Sequence, residues 1–121
     1  MQIYGREVKF LRTVAGNCKI ADICPDGDIN KAGMLFEGSY QKSQVTAAKF
    51  ICIMAEGYEL NRKFNDPSYE PFILTQEMIM NLPDEDFGKA FDEALKSYAG
   101  EKATVEAEPV KTKKKAVPKS A

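Results

Sequence analysis

The amino-acid composition of this chain changes abruptly at Gly100. Residues 1–100 contain nearly all of the apolar and aromatic side chains, whereas residues 101–121 contain no Phe, Tyr, Leu, Ile or Met. Only the first segment can bury enough apolar surface to offset the entropy that is lost when a backbone becomes ordered. The sequence therefore predicts one folded domain over residues 1–100 and a flexible basic tail over residues 101–121.

Formal charge is also distributed unevenly between the two segments. Residues 1–100 carry 11 Lys and Arg against 15 Asp and Glu, and the tail carries 6 against 3. An acidic domain repels a phosphate backbone, and a short basic tail alone attracts one only weakly. We therefore do not expect the domain to bind nucleic acid, although the lysines of the tail, Lys113, Lys114 and Lys115, can contact an acidic partner.

The residues that build common catalytic and metal sites are scarce. Histidine is absent, and with it the usual zinc ligand and the usual general base near neutral pH. Cys18, Cys24 and Cys52 form no Cys-x-x-Cys pair and have apolar neighbours in the sequence, which is typical of reduced thiols in a core. We therefore expect a protein that is not an enzyme and that holds no metal ion or cofactor.

Hydrophobic periodicity predicts a mainly α-helical fold that begins with a short β-hairpin. The hairpin turns at Gly5-Arg6, where glycine favours a type II′ turn. Helices are predicted at residues 14–24, 29–36, 43–56, 76–82 and 84–98 from the positions of caps and helix breakers. Thr13, Asp28 and Thr75 are the predicted N-caps, and Gly100 is predicted to end the fifth helix. Gly57 can end the third helix, although Tyr58, Leu60 and Phe64 could continue it for a further turn or two.

Three of these segments carry more specific predictions. The helix at 43–56 is apolar around most of its girth and is expected to run through the middle of the domain. The first helix is expected to bury apolar residues that recur near helical spacing, which are Val14, Cys18, Ala21 or Ala15, and residues 20–24. The last helix is expected to bury Phe87, Phe91, Ala94, Leu95 and Tyr98.

Two acidic segments and one proline-rich segment are assigned to turns, caps and loops. Pro25-Asp26-Gly27-Asp28 is typical of a turn that leads into a helix cap, and it lacks the further oxygen ligands of a calcium loop. Asp84, Glu85 and Asp86 occupy a first helical turn, where the helix dipole favours carboxylates. The segment 65–71, with its two prolines, is predicted to be a loop.

This order of elements resembles that of the tail assembly chaperones of long-tailed bacteriophages of the siphophage type. The likeness covers most of residues 1–100 and includes the hairpin, the first helix and the segment before the last helix. The residues that carry it are Gly5, Ala15, Cys18, Ile20, Ala21, Ile23, Leu74, Thr75, Leu82, Pro83 and Asp84. The resemblance implies a small cytoplasmic protein, in a bacterial host if encoded by a phage or prophage, that keeps the tape-measure protein soluble and helps to recruit tail-tube subunits.

A helical client with exposed apolar stripes is best covered by adaptable apolar grooves. Methionine suits such grooves because its thioether repacks at low cost, although it fills cores equally well. The residues proposed to contact a partner are therefore Met34, Met54, Met78 and Met80, together with Lys113, Lys114 and Lys115 of the tail. Several copies along one client would raise the affinity through effective concentration, so self-association is compatible with this role.

Other interpretations of the sequence stay open. The chain could be a small regulatory or nucleic-acid-associated module that uses its basic tail, or a small enzyme that uses carboxylates near Asp26 or Asp84. The enzyme reading is disfavoured because acid and base catalysis by carboxylates needs two groups on facing walls of a cleft. No stretch of about 18 apolar residues and no secretory signal is present, so we expect a cytoplasmic protein that does not span a membrane.

Overall fold

A computed structural model describes residues 1–100 of the chain, and the predictions for the tail, including Lys113, Lys114 and Lys115, lie outside these residues. The mainly helical fold with an N-terminal hairpin is confirmed. The strands are β1 (Gln2–Ile3) and β2 (Arg6–Glu7), and the α-helices are α1 (Val14–Ile23), α2 (Tyr40–Asn65), α3 (Gln76–Met80) and α4 (Asp84–Tyr98). Two short 3₁₀ helices, Pro25–Gly27 and Ile29–Met34, connect α1 to α2.

The hairpin forms, but its turn lies one residue earlier than predicted. Ile3 pairs with Arg6 across the two antiparallel strands, so the turn residues are Tyr4 and Gly5 rather than Gly5 and Arg6. Both turn residues have positive φ, 50° and 78°, which is the requirement of a type I′ turn and not of type II′. The shift points the side chain of Ile3 into the core, where it is 1% exposed.

Helix α1 is capped as predicted but buries only part of the predicted stripe. The Thr13 hydroxyl accepts a hydrogen bond from the Gly16 N–H at 2.9 Å. The buried positions are Gly16 and Ile20, followed by Cys24 just beyond the helix. Val14 is 81% exposed and Cys18 is also exposed, so the prediction that both lie in a buried stripe is wrong. The small residue Gly16 lets α1 approach α2, and this contact turns Val14 and Cys18 outward.

Helix α2 is the central helix, as predicted, but it is much longer than residues 43–56. Ser39 caps its first turn by accepting a hydrogen bond from the Lys42 N–H at 3.2 Å. Gly57 does not end the helix but lies buried inside it, and the alternative in which Tyr58, Leu60 and Phe64 continue the helix is confirmed. The extended segment before α1 crosses α2 at this point, and Leu11 donates a hydrogen bond to the Met54 carbonyl oxygen at 3.0 Å.

The core surrounds the middle of α2, which contacts α1, α3 and α4. Its largest fully buried side chains are Ile3, Ile20, Phe50, Ile51, Met54 and Ile79. Phe50 packs edge-to-face against three other rings, those of Phe36, Phe91 and Tyr98, with centroids 5.7, 6.3 and 5.5 Å away. Edge-to-face pairs at these distances add to the stabilisation from burial alone.

The remaining caps are confirmed, and the predicted loop 65–71 begins one residue later because Asn65 is the last residue of α2. Asp28 accepts a hydrogen bond from the Asn30 N–H at 2.9 Å, and Thr75 accepts one from the Met78 N–H at 3.2 Å. Helix α4 has the predicted bounds, and Gly100 follows it with a φ of 82°. Ala90 and Ala94 are its fully buried residues, whereas the larger side chains of the predicted stripe are partly buried against the core.

Candidate functional site

An apolar recess lies between the start of α1 and the C-terminal half of α2. We call it the α1–α2 recess, and its volume is about 310 Å³. It is lined by Thr13, Val14, Ala15, Gly16, Ile53, Glu56, Gly57, Leu60, Asn61 and Phe64. The α2 members Ile53, Gly57, Leu60 and Phe64 follow one another at intervals of four, three and four residues, which places them on one face of the helix.

Two of the residues that line the recess are glycines packed closely against other parts of the chain. A Cβ atom added to Gly57 would lie 2.4 Å from the carbonyl oxygen of Leu11. At Gly16 an added Cβ would lie 3.2 Å from the Thr13 hydroxyl oxygen and 3.5 Å from Cγ2 of Ile53. The absence of side chains at these positions lets the segment before α1 and the first turn of α1 lie directly on α2.

Three apolar side chains on the rim of the recess are exposed to solvent. Val14 and Phe64 are each 81% exposed, and Leu60 is 37% exposed. Single apolar residues on a surface are ordinary, but several around one concave site are typical of a protein-binding surface. Covering one Val or Phe side chain completely contributes about 1.5–3 kcal/mol to association.

The polar groups around the recess are already paired or neutral. Glu56 forms an ion pair with Lys19, which joins α1 to α2. Thr13 is engaged as the cap of α1, and Asn61 contributes a neutral amide. The recess therefore presents little net charge to a ligand and favours an apolar surface over a charged one.

The cysteines nearby are not activated as nucleophiles. Burial raises the pKa of the Cys52 thiol to about 11, and the charge of Glu56 adds to the rise. Burial, aided by Asp28, also raises the pKa of Cys24. Because the thiolate is the reactive form, both residues are inert near neutral pH. Cys24 is buried and Cys52 half-buried, as expected for core thiols, whereas Cys18 is exposed.

A second apolar recess, of about 420 Å³, lies between the 3₁₀ helix Ile29–Met34 and the end of α4. It is lined by Ala32, Gly33, Leu35, Phe36, Phe50, Leu95, Lys96, Tyr98 and Ala99. It adjoins the point where the described residues end. None of its lining residues is a large apolar side chain as exposed as Val14 or Phe64, so the α1–α2 recess is the stronger candidate.

The methionines proposed from the sequence lie elsewhere. Met54 is fully buried, so its contacts are with the core and its assignment to a partner surface is wrong for this conformation. Met78 is half-buried against the core. Met34 and Met80 are 49% and 40% exposed and remain available to a partner. None of the four lines either recess described above.

The carboxylates of the acidic segments form an ion pair, a helix cap and the first turn of a helix. Asp26 forms an ion pair with Lys31 at 2.6 Å, and Asp28 caps the following 3₁₀ helix. Asp84, Glu85 and Asp86 occupy the first turn of α4. Within residues 1–100, no three Cys, Asp or Glu side chains converge on a point where a metal ion would sit.

Neither family models, curated proteins nor solved structures yield a match to this chain. Among the described residues, no helix is both long enough and apolar enough to cross a bilayer.

Proposed function

We propose that this protein is a non-enzymatic tail assembly chaperone that binds the tape-measure protein, keeps it soluble and helps to recruit tail-tube subunits. The observation that carries the proposal is the exposed rim of the α1–α2 recess, formed by Val14, Leu60 and Phe64. The resemblance of the element order to that chaperone family supplies the identity of the client. The helical body with its short hairpin agrees with the resemblance.

The recess suits one kind of ligand best, an apolar stripe on a helix. Amphipathic helices bind by laying apolar side chains at positions i, i+3, i+4 and i+7 into a groove. Gly16 and Gly57 let α1 and the segment before it lie directly on α2, and the side chains of Val14, Leu60 and Phe64 are exposed around the recess. We expect an apolar side chain of the client to enter the recess and contact Val14 and Phe64.

The energetics predict that a single copy binds weakly. Covering Val14 and Phe64 contributes about 3–6 kcal/mol, at about 1.5–3 kcal/mol for each side chain. Association itself costs about 4–15 kcal/mol in lost translational and rotational freedom. A long client that offers many apolar stripes would compensate by binding many copies. Such weak and repeated contacts suit a chaperone that must later leave its client.

Co-expression with a candidate client, a tape-measure protein with apolar helical stripes, tests the proposal. The soluble fraction of the client should rise in the presence of the chaperone. The Phe64→Glu variant should lose this effect because it places a charge on the rim. Tyr40→Glu is the matched control, since Tyr40 is 73% exposed on the same helix but does not line the recess. Equal client solubility with and without the wild-type protein would refute the proposal.

A further inference from the structure

A cluster of two arginines and two aromatic rings lies on a face that the proposed function does not use. Cζ of Arg6 lies 4.4 Å from the centroid of the Phe72 ring. Cζ of Arg62 lies 4.0 Å from the centroid of the Tyr69 ring. Both arginines are exposed. We call this group of four residues, together with the carboxylate of Glu59 beneath it, the arginine platform.

Glu59 fixes the two rings in place. It is 5% exposed, and its Oε1 accepts hydrogen bonds from the Tyr69 hydroxyl at 2.7 Å and from the Phe72 N–H at 2.6 Å. One buried oxygen therefore holds both aromatic residues of the loop against α2. The hydrogen bond to Glu59 raises the pKa of Tyr69, while the charges of Arg62 and Arg6 oppose the rise. Both guanidinium groups thus lie within electrostatic reach of the same phenol.

The hydrogen-bond donors of the two platform arginines are unused. Within residues 1–100, neither guanidinium donates a hydrogen bond to a protein acceptor or lies within 4.0 Å of a carboxylate. A guanidinium group that stacks on a ring still points its N–H groups outward in its own plane. The platform therefore presents two planar sets of donors, held in orientation by the rings below them.

Arg12 is an arginine of the same fold whose guanidinium group donates hydrogen bonds within the protein, and it serves as a comparison. It also stacks on a ring, with Cζ 3.9 Å from the centroid of Tyr98. Its Nε, however, donates to Asn17 Oδ1 at 2.8 Å, and one terminal nitrogen donates to the Tyr98 carbonyl oxygen at 2.9 Å. Arg12 thus donates hydrogen bonds to acceptors inside the protein, whereas Arg6 and Arg62 do not.

No carboxylate of residues 1–100 forms an ion pair with the platform arginines. Asp66, on the same loop, accepts hydrogen bonds from the Ser68 N–H at 3.2 Å and from the Ser68 hydroxyl at 2.7 Å, and these bonds, aided by the charge of Arg62, lower its pKa. Glu70 also lies on this loop. Lys9, whose Nζ is 5.9 Å from the centroid of the Tyr58 ring, adds positive charge along the N-terminal segment.

We propose that the arginine platform binds an acidic peptide segment whose carboxylates each pair with one guanidinium group. Planar guanidinium groups match carboxylates through two parallel hydrogen bonds, which are stronger than neutral ones. A short peptide fits better than nucleic acid because the site offers only two guanidinium groups, whereas an extended phosphate backbone needs a longer track of positive charge, and residues 1–100 carry 15 acidic against 11 basic residues. The site is separate from the α1–α2 recess and does not depend on the proposed function.

Fluorescence polarisation with labelled hexaglutamate tests this site on the full chain at about 20 mM salt, where charge screening is weak. The wild-type protein should bind the peptide, and added salt should weaken the binding. The double variant R6Q/R62Q should raise Kd about tenfold or more, because it removes two charge-assisted pairs. The control K42Q/K89Q removes the same charge from other exposed positions and should leave Kd within about twofold.

Two further variants separate the alternatives. K113Q/K114Q/K115Q should retain the binding, which excludes the basic tail as its source. R6K/R62K keeps both charges but loses the planar donor sets, and it should bind more weakly than wild type with an unchanged circular dichroism spectrum. Wild-type protein that binds oligothymidylate but not hexaglutamate, equal losses in R6Q/R62Q and K42Q/K89Q, or full affinity in R6K/R62K would each overturn the proposal.

Discussion

Replacing Gly57 by alanine should destabilise the protein, although alanine is the better helix former. The new Cβ would lie 2.4 Å from the Leu11 carbonyl oxygen, and ordinary contact begins at 3.4 Å, so the segment before α1 must retreat by about 1 Å. Such overpacking costs about 1–3 kcal/mol. The retreat also weakens the hydrogen bond from Leu11 to the Met54 carbonyl oxygen, which contributes about 1 kcal/mol.

The gain in helix propensity offsets only part of this loss. Alanine is favoured over glycine inside a helix by about 1 kcal/mol, which leaves a net destabilisation of about 2 kcal/mol. Urea denaturation followed by circular dichroism measures the difference. With a slope of about 2 kcal/mol per M, the midpoint should fall by about 1 M.

Replacing Gly88 by alanine is a control that should change the free energy of unfolding in the opposite direction. It lies in α4, and a Cβ added there would meet no atom within 4 Å. Gly88→Ala should therefore stabilise the protein by about 0.5–1 kcal/mol. A Gly57→Ala variant that is as stable as wild type, or more so, would refute the argument that close approach of the backbone requires glycine in α2.

Three further predictions follow from the caps, thiols and phenols of the structure. Thr13→Ala should lower the free energy of unfolding by about 1 kcal/mol, because the cap of α1 is lost, and an unchanged urea midpoint would contradict this. Iodoacetamide at neutral pH should label exposed Cys18 fast and Cys52 slowly, since the pKa of Cys52 is about 11, and mass spectrometry that finds equal rates would be inconsistent with the structure. The raised pKa of Tyr69 means that the stabilisation from its hydroxyl is complete below about pH 10 and is lost as pH rises through the higher pKa of the folded state. The difference in stability between wild type and Tyr69→Phe should therefore shrink above about pH 10, and a constant difference would argue against the hydrogen bond to Glu59.

Much of the helical framework is predictable because its signals are local. Thr13, Asp28 and Thr75 each cap the helix that the sequence assigns to them, and α4 begins and ends where the acidic first turn and Gly100 indicate. Each of these features depends on residues within a few positions of one another. A cap hydroxyl and the N–H that it accepts from belong to the same helical turn.

The errors arise where distant segments meet. Glycine ends many helices, and nothing near Gly57 shows that Leu11 will lie against it. The close approach of Gly16 to α2 turns Val14 outward, and the sequence does not predict the α1–α2 recess. One signal was present, since the spacing of Ile53, Gly57, Leu60 and Phe64 continues the apolar face of the helix through the glycine.

The hairpin turn and the methionines are cases in which one sequence signal is compatible with two structures. Gly5 has positive φ, which suits either the second position of a type I′ turn or the first of a type II′ turn, and the pairing of Ile3 with Arg6 decides between them. Methionine fills cores and grooves alike, so only the folded chain separates buried Met54 from exposed Met34.

Site-specific photo-crosslinking tests most directly whether the α1–α2 recess binds a helical client. A benzoylphenylalanine residue placed at position 64 lies on the rim of the recess, and one placed at position 40 lies on the same helix away from it. With the tape-measure protein present, position 64 should yield a covalent adduct and position 40 should not. Adducts from position 40 alone, or from neither position, would contradict the assignment of this surface.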